Sequence, residues 1–164
     1  MAETLILPAT DDRKERYTAL LPQVEALVGS ESDAIANMAN VAAVLRQAFG
    51  FFWTGFYRVV SDTLVLGPFQ GPLACTRIGF GKGVCGTAWA ERKSQLVPDV
   101  EAFPGHIACN SSARSEIVVP VFDTAGNVAA VLDIDSDRPD DFTETDIACL
   151  EEWMRKIGRR LLQR

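Results

Sequence analysis

Four side chains in this sequence can act as nucleophiles or redox partners at sulfur: Cys75, Cys85, Cys109 and Cys149. The spacings are 10, 24 and 40 residues, there is no Cys-x-x-Cys pair, and the one histidine is His106. A closed zinc site draws four ligands from tighter spacings, so no metal is expected. Cys149 precedes Trp153 by one helical turn and reads as a buried packing thiol. Cys75 falls at a strand or its end, Cys85 at the start of a helix, and Cys109 in a polar loop. A helix N-terminus lowers a thiol pKa and a loop gives access. Each thiol taken singly could be inert, but three around one loop-rich region suggest function. His106, three residues before Cys109, has two readings. It could be a base for that thiol, or it could hold the loop through a backbone hydrogen bond, which is the favoured reading.

Carboxylates supply the second kind of chemistry. Asp133 and Asp135 alternate with Leu132 and Ile134, so both acids point to one face of a strand. If the preceding turn has an even number of residues, Glu116 falls opposite Asp133 or Asp135 on that face, whereas an odd turn moves it to the other face. Such a cluster is either a solvated strand face or a site for a cation, such as the ammonium of an amino acid. Trp53, Phe56 and Tyr57 could line an apolar pocket, although aromatics in a first strand usually serve the core. Trp53 and Tyr57 share a face. Gly81-Lys82-Gly83-Val84-Cys85-Gly86 fits G-x-G-x-x-G, but a dinucleotide site needs a parallel strand–helix–strand unit. A tight turn into a closely packed helix fits the motif better.

The elements that position these residues follow from periodicity. Residues 11–28 form a helix with Pro22 as a kink or break. Ser30 and Asp33 make a capping-box pattern before a second helix, with the stripe Ile35, Met38, Ala42, Leu45 and Phe49, ending at Gly50. Phe51–Val60 and Thr63–Gly67 read as a strand hairpin, and a short third strand carries Ala74 and Cys75. A glycine-punctuated loop then leads into a short helix through Trp89 and Arg92. Ser94–Val97 is another strand, followed by a loop from Pro98 to about Ser112. Strands Glu116–Phe122 and Val128–Asp135 flank a turn. A last helix opens with Thr143 and Asp146 as a capping box and runs on Ile147, Leu150, Met154, Ile157 and Leu161. This order predicts an α+β fold, a central, largely antiparallel sheet with N- and C-terminal helices packed on one face and a pocket on the other.

Of the 164 residues, 48% are hydrophobic and 23% charged, which suits one globular domain. The net charge of −6 argues against a nucleic-acid partner. No apolar run is long enough for a membrane span. The N-terminal Met-Ala-Glu-Thr-Leu-Ile-Leu-Pro lacks a basic region and does not read as a signal peptide. A cytoplasmic protein is therefore expected, in which lasting disulfides are unusual.

Taken together, several segments resemble the free methionine-(R)-sulfoxide reductases, which use a GAF fold. They are Trp53-Thr54-Gly55-Phe56-Tyr57, Cys75-Thr76-Arg77-Ile78, Gly81-Lys82-Gly83-Val84-Cys85-Gly86-Thr87-Ala88, Pro104-Gly105-His106-Ile107-Ala108-Cys109 and Ser115-Glu116-Ile117-Val118-Val119-Pro120. The resemblance implies a single GAF domain over residues 1–164 that reduces free L-methionine-(R)-sulfoxide. It implies Cys109 as nucleophile, Cys75 as resolving thiol, and Cys85 as an auxiliary or alternative resolving thiol. Glu116, Asp133 and Asp135 would bind substrate and help protonate its oxygen, and Trp53 and Tyr57 would hold the thioether end. The expected route is a cysteine sulfenic acid and then an intramolecular disulfide, recycled by thioredoxin without metal or organic cofactor. Asn110 departs from the acidic residue expected after the nucleophile, and Gly79 stands where proline is expected. Two rival readings are a small-ligand GAF sensor and a cysteine redox switch, both without turnover. Against the sensor, the sequence carries no output domain. The oligomeric state is open, a homodimer being one arrangement.

Overall fold

The computed structural model describes residues 4–162; the first three residues of the N-terminal run read above lie outside them. Helices α1 (Arg13–Gly29), α2 (Ala34–Phe49), α3 (Gly83–Glu91) and α4 (Glu144–Ile157) accompany strands β1 (Trp53–Val60), β2 (Thr63–Gln70), β3 (Arg77–Gly79), β4 (Gln95–Val97), β5 (Ser115–Phe122) and β6 (Val128–Ser136). The strands form one sheet in the order β3-β2-β1-β6-β5-β4, with every pairing antiparallel. No described helix is long and apolar enough to cross a membrane.

The alternation within each strand divides the sheet. Phe56, Ile117, Val119, Val121, Ala130, Leu132 and Ile134 face one way and build the larger core with α1, α2 and α4. Trp53, Tyr57, Val118 and Val131 face the other way and pack against α3 and its flanking loops. The terminal helices do lie side by side. Tyr17 on α1 donates its hydroxyl to Asp146 at 2.9 Å, and Trp153 on α4 donates its indole N–H to the Tyr17 carbonyl at 3.3 Å. Arg13 adds an ion pair to Asp146 at 3.1 Å, so the fully buried Asp146 is well partnered.

Local details differ from the sequence reading in four places. Pro22 lies inside α1 without ending it. The cap of α2 is Asp33, whose carboxylate accepts from Ala36 N–H, while Ser30 closes α1 instead. Thr143 and Asp146 do form the expected capping box of α4. The third strand begins at Arg77, leaving Ala74 and Cys75 in the irregular stretch before it. Cys149 is half-buried at the edge of the larger core.

The β5–β6 connection resolves the parity question. Phe122 pairs with Val128, so five residues intervene, an odd number. Val121 nevertheless pairs with Ala130, leaving Ala129 as an unpaired bulge. The extra residue restores even parity. Glu116 consequently pairs with Asp135, and Val118 with Asp133, so all three acids share the α3 face.

Candidate active site

The β5–β6 pair supplies the floor. Asp135 is flanked by Glu116 on β5 and Trp53 on β1, and Asp133 lies opposite Gly55. The missing side chain at Gly55 matters, because a Cβ there would stand 2.7 Å from the Trp53 ring. Trp53 instead folds across that position, stacks on Phe69 and Tyr57 with ring centroids 5.2 and 6.0 Å away, and donates its indole N–H to the Pro72 carbonyl. The Tyr57 hydroxyl donates to the carbonyl of Cys75 at 2.9 Å. Both aromatics line the pocket, and both also anchor the segment that carries Cys75.

Helix α3 enters from the glycine motif. A Cβ on Gly86 would meet the Gly79 carbonyl oxygen at 2.4 Å, so glycine lets the first turn of α3 press against the end of β3. The motif is a packing device between antiparallel elements, with no parallel strand–helix–strand unit around it. It delivers Cys85, 3% exposed, to the carboxylates. Cys85 Sγ and one oxygen each of Glu116 and Asp133 lie within 4.8 Å of one another. The expectation that a helix start would acidify Cys85 is reversed. Burial, followed by the negative charge of Asp133, Glu116 and Asp135, pushes the thiol well above its usual range.

The loop between β4 and β5 forms the wall. It places Cys109 beside Cys75, and the two are joined in a disulfide with Cα atoms 5.2 Å apart. Cys85 and Cys149 are free. His106 lines the same pocket as Cys109. Its backbone N–H bonds the Phe103 carbonyl, as a loop-holding residue would, but its Nε2 lies 3.8 Å from Glu116 Oε2. Burial lowers the His106 pKa, so the ring is neutral near pH 7. Asn110 lines the pocket, and its side-chain oxygen accepts from Ser112 N–H. Leu73 and Ile107, which sequence reasoning missed, complete the mouth. The signal for them was modest: exposed apolar residues within two positions of a loop cysteine. The cavity, partly open to solvent, measures about 40 Å³.

Electrostatics separate the acids. Glu116 is raised well above the carboxylate range by burial, then by Asp133 and Asp135, and it shares a hydrogen bond with Asp133. Burial also raises Asp135, with the charge of Asp133 adding to it. Asp133 is raised to about 6 by burial, held from going higher by hydrogen bonds from Glu116 and Cys85. Near neutral pH the buried cluster therefore holds protons, and Asp133 is the acid that ionises most readily. One Asp133 oxygen, Oδ1, is buried without a hydrogen-bond partner.

This arrangement costs stability. The folded pKa of Asp133 exceeds its ordinary value, so its stabilising contribution is present at low pH and lost as pH rises through about 6. Asp133→Asn is expected to raise the Tm of the substrate-free protein at pH 8 by about 2–6 °C, the scale of 1–2 kcal/mol in a domain of this size. The gain should fall to about half near pH 5, between the ordinary and the folded pKa, and vanish only below about pH 4, where the unfolded carboxyl is protonated too. Thermal unfolding at pH 8 and pH 5 checks this; an equal gain at both would contradict it.

The antiparallel sheet with the terminal helices on one face is the arrangement of a GAF domain, and the GAF-domain family model matches residues 30–161. GAF domain-containing protein A of Dictyostelium discoideum is 54% identical over 162 residues, 98% of this chain and 99% of that one. The free methionine-R-sulfoxide reductase of Escherichia coli is 42% identical over 151 residues, 92% of this chain and 88% of that one. The structure of the Neisseria meningitidis free methionine-R-sulfoxide reductase in complex with its substrate superimposes with a TM-score of 0.94 at 52% identity, covering 98% and 96% of the two chains. The chain belongs to the free methionine-R-sulfoxide reductase family and is an oxidoreductase.

Proposed function

We propose that this protein reduces free L-methionine-(R)-sulfoxide to methionine through Cys109 and Cys75. The observation that carries this reading is the Cys75–Cys109 disulfide at a pocket floored by Glu116, Asp133 and Asp135. A sulfoxide sulfur is a poor electrophile until its oxygen is protonated or strongly hydrogen-bonded. Glu116, raised well above the carboxylate range by burial and then by Asp133 and Asp135, is the acid assigned to supply it. The Cys109 thiolate attacks sulfur to form a transient S–S bond; the protonated oxygen then transfers to the Cys109 sulfur as that S–S bond and the substrate S–O bond break, so methionine leaves and Cys109 holds a sulfenic acid. The Cys75 thiol then attacks the Cys109 sulfur, expelling water and forming the disulfide. An external dithiol, thioredoxin by family analogy, restores both thiols. Cys85 acts as hydrogen-bond donor to Asp133, and its high pKa makes it a poor resolving thiol. Trp53 and Tyr57 wall the thioether end.

The ionised Asp133, with Asp135 beside it, suits a substrate ammonium. Inside a polypeptide that nitrogen is an uncharged amide. Free methionine-(R)-sulfoxide should therefore be consumed at least about 100-fold faster, by kcat/KM, than an internal residue of a peptide, the scale of a fully used buried charge contact. Methionine formation with a thioredoxin system measures this. Comparable kcat/KM on both substrates would remove the proposed ammonium role. No turnover of either would favour a ligand sensor or a redox switch on the same domain. A cytoplasmic setting fits a reductase that depends on cellular dithiols.

A further inference from the structure

We propose that Cys85, Glu116 and Asp133 also form a binding site for a thiophilic divalent cation of the Zn²⁺ and Cd²⁺ class. The cation would occupy the position that the proposed function gives to the substrate ammonium. Cys85 Sγ and the two carboxylate oxygens lie within 4.8 Å of one another. Ligands bound to zinc at 2.0–2.3 Å stand about 3.3–3.8 Å apart, so a contraction of about an ångström closes all three on one ion. A second observation points to a ligand at this spot. Asp133 is only 6% exposed, yet its Oδ1 has no hydrogen-bond partner and the residue lines the cavity. The donor set decides the kind of cation: one sulfur beside two carboxylates favours Zn²⁺ or Cd²⁺ over Mg²⁺ or Ca²⁺, which prefer all-oxygen sites. Three protein ligands leave a fourth position on the cavity side for water. Binding releases the thiol and carboxyl protons to solvent. Cys85 remains free while Cys75 and Cys109 are joined, so the site persists in the oxidised protein.

The test uses the whole protein, oxidised so that Cys85 and Cys149 are its free thiols, titrated with Cd²⁺ alone. The expected result is a thiolate-to-cadmium ultraviolet band that saturates at about one ion per chain and is reversed by Zn²⁺. The band should survive in Cys149→Ala and disappear in Cys85→Ser. Its absence from the folded protein, or its survival in Cys85→Ser, would overturn the proposal. Asp133→Asn keeps the thiol and serves if Cys85→Ser misfolds. It should weaken cadmium binding about tenfold or more, and unchanged binding would also refute the site. With reduced protein, Zn²⁺ should inhibit turnover competitively against the sulfoxide, and purely non-competitive inhibition would refute the shared position. The inference of a shared position rests on the proposed function, but the cadmium titration contains no substrate. A failed reductase assay and a failed metal site are thus told apart.

Discussion

Cys109→Ser is expected to abolish methionine formation even within a single turnover. The hydroxyl that replaces the thiol is a poor nucleophile at neutral pH. The His106 ring lies 3.8 Å from Glu116. Cys75→Ser should behave differently. Its first turnover should still release about one methionine per chain, because only the resolving step is lost. Steady turnover with thioredoxin should then collapse, while dithiothreitol, small enough to reach the sulfenic acid, should rescue part of it. Rapid-quench measurement of methionine per enzyme distinguishes the two variants. A normal burst in Cys109→Ser together with none in Cys75→Ser would exchange the roles.

Glu116→Gln should lower the single-turnover rate at saturating substrate by about 10²-fold or more, the usual scale for losing a general acid. Glutamine keeps the shape and a hydrogen-bond donor but has no transferable proton. Asp133→Asn and Asp135→Asn should raise KM more than they lower kcat, as expected for groups that bind the ammonium alike in ground and transition states. The pH dependence has a definite sign. As pH falls through about 6, Asp133 gains a proton and substrate binding weakens, while Glu116 keeps its proton to higher pH. A normal burst in Glu116→Gln with a slow one in either aspartate variant would move the acid role to that aspartate.

The sequence made the shared orientation of Asp133 and Asp135 legible, because their apolar neighbours Leu132 and Ile134 had to face the helices. The position of Glu116 was legible only as a conditional. A five-residue turn by itself would have carried it to the wrong face, and the Ala129 bulge reverses that outcome. Nothing in the residue types around Ala129 announces a bulge. The correction sits six positions from Asp135, about 20 Å along the strand. Cys85 shows the opposite failure. Its place at a helix start was readable, but the rule that such a place acidifies a thiol is local, and burial together with three carboxylates from β5 and β6 overrides it. The pairing of Cys75 with Cys109 came from resemblance, since spacing alone could not choose among four thiols. The anchoring roles of Trp53 and Tyr57 depend on where residues 72–75 pass, which no periodicity encodes.

With the disulfide closed, the cavity of about 40 Å³ holds a few water molecules, well below the roughly 300 Å³ at the lower end of ligand pockets. On the proposed function, sulfoxide and reductant therefore take turns. The cavity of the oxidised form is small for a second sulfoxide, which disfavours a dead-end complex when sulfoxide is abundant. The kinetics are then those of a double-displacement enzyme, in which the supply of reducing equivalents sets the pace under oxidative load and the pool of substrate does not clog the cycle.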